Sequence, residues 1–115
     1  MFHMNQNLRV VLAVKPMDLR KSFHGLYAAA QLLKETPEKR ALFVFSNRAH
    51  NRVKVFCFDG TGCWVSTKRL EKGTFSWPKG AEAKRVKMRL KPEALGLLLD
   101  GVDLRGAKLR AWHER

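Results

Sequence analysis

ALFVF-SNRAHN-RVKVFCF-DGTG-CWVSTKRL spans Ala41–Leu70, and its reading decides the fold. ALFVF (Ala41–Phe45) is a short, unbroken apolar run of the kind that forms a central, fully buried strand. SNRAHN (Ser46–Asn51) is rich in side chains that hydrogen-bond their own backbone, so it reads as a turn. RVKVFCF (Arg52–Phe58) predicts a second strand. DGTG (Asp59–Gly62) offers two glycines for a hairpin, and CWVSTKRL (Cys63–Leu70) returns antiparallel. Period two in the middle strand puts Arg52, Lys54, Phe56 and Phe58 on one face and Val53, Val55 and Cys57 on the other. A hairpin centred on Gly60 places position 52 opposite about 68 and 54 opposite about 66. Arg52 and Lys68 are then expected as neighbours, and Cys57 and Cys63 as thiols facing each other.

Outward from this block, RVVLAV (Arg9–Val14) predicts a buried strand ended by Pro16. Asp18 is placed to cap a helix. Leu19, Phe23, Leu26, Tyr27, Ala30 and Leu33 then recur at steps of three and four along one helical face. On this reading Phe23 is a core residue whose removal costs about 3–5 kcal/mol. KETPEKR (Lys34–Arg40) is a polar loop, and Trp77-Pro78 marks a strand end or bend. VKMRL (Val86–Leu90) alternates, with Val86, Met88 and Leu90 inward. Pro92 suits the first position of a short helix striped by Ala94, Leu95, Leu98 and Leu99, with Gly101 as its C-cap. The expected class is α+β: an antiparallel sheet of four to six strands, one long helix packed on a face, a second short C-terminal helix, and both helices on the same side. Residues 1–104 make a single domain, and 105–115 a basic C-terminal tail. No internal repeat or low-complexity segment interrupts this order.

The 115 residues carry 23 Lys+Arg against 10 Asp+Glu, a net charge of +13, with 45% hydrophobic residues. Such an excess repels itself unless a polyanion screens it, and a pI near 10.5 points to nucleic acid. No apolar run approaches the roughly 20 residues of a membrane span, and no signal pattern opens the chain, so a cytoplasmic location without membrane contact is expected. Two cysteines make no disulfide framework.

The basic residues concentrate in the middle third, as Arg48, Arg52, Lys54, Lys68, Arg69 and Lys72, interleaved with Phe56, Phe58, Trp64, Phe75 and Trp77. Cations neutralise phosphates while an aromatic face stacks on an unpaired base. The candidate nucleic-acid-binding set is therefore Arg48, Arg52, Lys54, Lys68, Arg69, Lys72 and Trp77. Read one at a time, the aromatics are better explained as core. No catalytic residue, cofactor or metal is expected. His3, His24, His50 and His113 are scattered, and no cysteine pair has zinc spacing. Ser22, Ser46 and Ser66 lack a nucleophile's context. GTGCW lacks the Lys-Ser/Thr of a phosphate loop. A two-metal nuclease would need carboxylates such as Asp18, Asp59 and Asp103 to converge, and no spacing brings them together.

The segments DLRKSFHGL (Asp18–Leu26), LFVFSNRAHNRVKVFCFDGTGCWVSTKRLEKGTFSWP (Leu42–Pro78), VKMRLKPEAL (Val86–Leu95) and LLLDGVDL (Leu97–Leu104) resemble, in order, the TnpB (Orf2-like) accessory protein of insertion-sequence-66-type bacterial transposons. The matching positions include Asp18, Arg20, Lys21, Phe23, Gly25, Arg48, Arg52, Lys54, Asp59, Lys68, Arg69, Phe75, Trp77 and Pro78. Cys57-Phe58 departs from the bulkier residues of the pattern. The resemblance implies a helper needed for movement of the element, acting beside a separate, larger transposase, and it carries no catalytic residue over. DNA, as transposon ends or non-specific duplex, and that transposase are the implied partners. The alternative is a protein adaptor or regulator of the transposase that does not touch DNA.

Overall fold

The computed structural model describes residues 8–20, 22–35 and 41–101. Its elements run β1 (Arg9–Ala13), α1 (Phe23–Leu32), β2 (Ala41–Ser46), β3 (Arg52–Phe58), β4 (Cys63–Arg69), a 3₁₀ turn at Gly80–Lys84, β5 (Lys87–Leu90) and α2 (Pro92–Leu99). The class is α+β, with one five-stranded sheet ordered β4-β3-β2-β1-β5.

β2 is buried at every position, as its unbroken apolar run requires of a central strand. It pairs antiparallel with β3 but parallel with β1, so the sheet is mixed where an all-antiparallel one was expected. The reason lies in the connection. A crossover through α1 carries the chain back to the starting edge before β2 begins, and a helical crossover is the usual link between parallel strands.

Alternation along β1 divides the core. Val10, Leu12 and Val14 join Leu95 and Leu98 of α2 on one side, while Val11 and Ala13 join Leu26 and Ala30 of α1 on the other. The helices thus pack on opposite faces, not on one. A central strand apolar on both sides needs a cover on each.

α1 is ten residues long, shorter than the expected Leu19–Leu33. Asp18 does not cap it, because its carboxylate accepts from the backbone N–H of Arg20 at 2.9 Å and holds a turn instead. Ser22, in an extended conformation, stands at the N-cap. Phe23, the first helical residue, is 50% exposed and does not belong to the core. The buried stripe is Leu26, Ala30 and Leu33, flanked by Leu19 and Tyr27. Val86 is likewise outside the core at 59% exposure, while Met88 and Leu90 are buried as expected. Gly101 follows α2 with φ of +79° and donates its N–H to the Leu98 carbonyl, the C-terminal cap anticipated for it.

The β3–β4 register pairs Arg52 with Arg69, Val53 with Lys68 and Lys54 with Thr67. The expected pairing was one residue off. A single slip moves a side chain to the opposite face, so Lys68 sits on the α2 side and Arg69 joins Arg52. Cys57 and Cys63 are consequently on opposite faces, and both are free. Among the described residues no helix is long and apolar enough to cross a membrane. The tail 105–115, the boundary at 104, and Lys21, Asp103, His3 and His113 lie outside the described residues.

Candidate nucleic-acid interface

The parallel pair β1–β2 creates one special place. Both strands end at the same edge of the sheet, and in open α/β arrangements ligands bind outside the carboxyl ends of such strands. Here that edge holds an open cleft of about 630 Å³. One wall is the β1–α1 connection from Pro16 to Arg20, and the other is the β2–β3 turn with Asn47, Arg48 and Ala49. Arg52, Lys54 and Thr67 complete it from the sheet. A backbone hydrogen bond from Met17 to the Ser46 carbonyl, 2.9 Å, ties the two walls together.

Four cations line this cleft, Arg20, Arg48, Arg52 and Lys54, against a single carboxylate, Asp18. Asp18 is engaged with Arg20, 2.7 Å from Oδ2 to Nη2. Arg48, Arg52 and, beside Arg52, Arg69 make no ion pair among the described residues. Arg52 directly opposite Arg69 is a like-charge pair, a placement that costs a few tenths to about 1 kcal/mol in a sheet.

The turn that carries Arg48 is welded in place. Asn47 Oδ1 accepts from the backbone N–H of both Asn51 and Arg52, each at 3.1 Å, and its Nδ2 donates to Asn51 Oδ1 at 2.7 Å. Ser46 Oγ lies 2.9 Å from His50 Nδ1. His50 takes a left-handed φ of +57°, and its carbonyl accepts from the Phe75 N–H at 2.7 Å. Its ring stacks on Trp77, 5.3 Å between centroids. Burial, and then the charge of Lys79, push the His50 pKa down, so the neutral ring is favoured in this packing.

Of the expected set, Arg48, Arg52 and Lys54 therefore meet in one cleft, and Arg69 lies alongside. Three members do not join them. Trp77 is 3% exposed and donates its indole N–H to the Val14 carbonyl at 3.0 Å, so it supports the turn from beneath and has no face for a base. Lys68 donates to the Leu99 carbonyl at 2.7 Å, on the other side of the sheet, where a cation suits the C-terminal end of α2. Lys72 is exposed in the turn after β4 and lines no part of the cleft. Arg20, placed by the sequence only on another face of the helix, is a cleft residue. Its signal was Pro16, which ends β1 and leaves the next residues to form a loop.

A second charged cluster escaped sequence reading. The Glu35 side chain, 5% exposed, sits between Arg9, Lys87 and Arg89 on the α1 side of β1 and β5. Burial pushes its carboxyl up, but the hydrogen bond from Lys87 and the charges of Lys87, Arg89 and Arg9 outweigh that and hold it below the usual range. Asp59 closes the β3–β4 hairpin. It accepts from the Thr61 and Gly62 N–H groups, from the Thr61 hydroxyl and from the Trp64 indole, and is held down to about 2. Among the described residues no three His, Cys, Asp or Glu side chains assemble as a metal site.

The sequence model of a family described as IS66 Orf2-like protein matches residues 8–109. The chain belongs to that family. IS66 Orf2-like proteins are accessory proteins of insertion-sequence-66 transposition, so this chain is a transposition accessory protein. Two relatives from Sinorhizobium fredii (strain NBRC 101917 / NGR234) resemble it along most of their length. Uncharacterized protein y4hO is 39% identical over 101 residues, covering 87% of this chain and 85% of its own. Uncharacterized protein y4jC is 33% identical over 100 residues, covering 86% and 83%. No solved structure significantly matches this IS66 Orf2-like chain.

Proposed function

We propose that this IS66 Orf2-like protein assists transposition without chemistry of its own, by holding DNA at the basic cleft between the β1–α1 loop and the β2–β3 turn. The observation that carries the reading is the convergence of Arg48, Arg52 and Lys54 with Arg20 at one end of the sheet. Like charges gathered on a rigid frame, with Arg52 set against Arg69, raise the energy of the empty protein. A phosphate between them removes that penalty. Guanidinium groups suit phosphate oxygens because their donors form a planar fork.

The test is binding to labelled duplex across a salt series. The logarithm of affinity should fall linearly with that of salt, with a slope near −0.9 for each phosphate engaged. A slope near zero would end the DNA reading and favour an adaptor gripping the transposase, for which Phe23 and Leu32, exposed on α1, offer apolar contacts. Incubation with labelled transposon ends and magnesium or manganese should leave the DNA uncut. Cleavage lost on Asp18→Ala or Asp59→Ala would make the protein an enzyme.

A further inference from the structure

We propose that the cleft takes an unpaired nucleotide of DNA, with the base against the Asp18–Arg20 side and its phosphate on Arg48 and Arg52. This rests on the reading above and adds which form of DNA enters.

The shape comes first. A concavity of about 630 Å³ has the dimensions of a site for a small molecule or a single polymer unit. A single nucleotide is a polymer unit of that size, and only an unpaired one has a base face free to lie on the cleft wall, since the bases of a duplex are stacked on one another.

The chemistry divides the cleft in two. On one side, Arg20 Nε donates to Oδ1 and Oδ2 of Asp18 at 2.9 and 3.0 Å, Nη2 donates to Oδ2 at 2.7 Å, and the Arg20 backbone N–H to Oδ1 at 2.9 Å. The Arg20 side chain is 92% exposed, and ion pairs on open surface add little to stability. What these bonds do achieve is orientation. They hold a guanidinium edge-on to a carboxylate, a pair with no net charge whose planar face stays open, beside Pro16, Met17 and Leu19. Guanidinium planes are stacking surfaces for splayed-out bases. The Asp18 carboxylate disfavours a phosphate on this side and leaves it to Arg48 and Arg52 opposite. Asn47, the one amide in the cleft, has both its side-chain O and N engaged within the turn. With that reader of base edges occupied, recognition depends on stacking and charge and tolerates any base.

The experiment is fluorescence anisotropy of the full chain with labelled DNAs of one sequence: blunt duplex, the same duplex with a short unpaired overhang, and single strand. The overhang and the single strand should bind about tenfold tighter than the blunt duplex at equal salt, the size of one stacked base. Arg20→Lys keeps the charge and loses the plane, and Arg20→Ala loses both. Either should abolish that preference and leave the melting temperature as in the parent, and Arg20→Lys, which keeps the charge of the cleft, should also leave the salt slope unchanged. Arg52→Ala should weaken every DNA and lower the slope by about 0.7 on single strands and about 0.9 on duplex. Equal binding of overhang and blunt duplex, or a preference that survives Arg20→Ala, would overturn this inference and leave the DNA-binding cleft standing. No salt-dependent binding to any of the three would overturn both. An RNA overhang bound more tightly than the DNA one would overturn the assignment to DNA.

Discussion

The α1 side of the sheet carries two groups of cations with opposite fates. Around Glu35, Arg9, Lys87 and Arg89 converge on a buried carboxylate and lock the end of α1 to β1 and β5. At the other end, Arg48, Arg52 and Arg69 stand on β3, β4 and the β2–β3 turn with no carboxylate to receive them among the described residues. In sequence both groups are simply Lys and Arg on or beside short strands. The difference is that one has an internal anion and the other does not. Charge serves stability where the fold supplies the counter-ion; for Arg48 and Arg52 the counter-ion proposed above is a phosphate of DNA.

The largest expected effect tests the frame under the second group. Trp77→Ala should cost about 3–5 kcal/mol in urea unfolding, the range for a deleted core aromatic, because it removes the ring beneath His50. Phe23→Ala, at a half-exposed site, should cost less than about 1 kcal/mol. Equal costs would mean that the turn is not built on Trp77.

Glu35→Gln should cost roughly 2–3 kcal/mol, somewhat under the 3–5 usual for breaking a buried pair because the three cations are partly solvated. Its DNA affinity and salt slope should match the parent. A changed slope would erase the distinction between the two groups, since it would place the Glu35 cations on DNA as well.

Arg48→Ala and Arg52→Ala should do the reverse. Each should lower the duplex salt slope by about 0.9 and weaken binding on unrelated sequences alike. Stability should stay within about 0.5 kcal/mol of the parent, or rise slightly for Arg52→Ala as the repulsion with Arg69 is relieved. A large loss of stability would assign these arginines to the fold.

The smallest effect is the pH dependence. The Glu35 carboxyl is depressed in the folded state relative to about 4.3 unfolded. Its stabilisation is therefore fully present above about pH 4.3 and lost as pH falls through the lower folded value. The parent protein should lose urea stability in that acid window more steeply than Glu35→Gln. Parallel curves would show that the cluster is not ionised as described.

The amino-acid sequence by itself determined the element order, the hairpin, the centrality of Ala41–Phe45 and the concentration of cations between Arg48 and Lys72, because periodicity and turn residues act over a few neighbours. It also carried the family through FSNR…DGTG…KRLEKGTFSWP. What it left undecided depended on contacts between distant segments. The parallel pairing of β1 and β2 follows from α1 crossing the sheet, and with it the helices go to opposite faces and the cleft opens at the strand ends. One residue of register sent Lys68 to α2 and Arg69 to Arg52, since a side-chain period of two turns any odd slip into a change of face. Trp77 proved a buried support stacked under His50 and not an open face for a base, and Glu35 a buried counter-ion, because burial is set by what packs above a residue, and no local pattern encodes that.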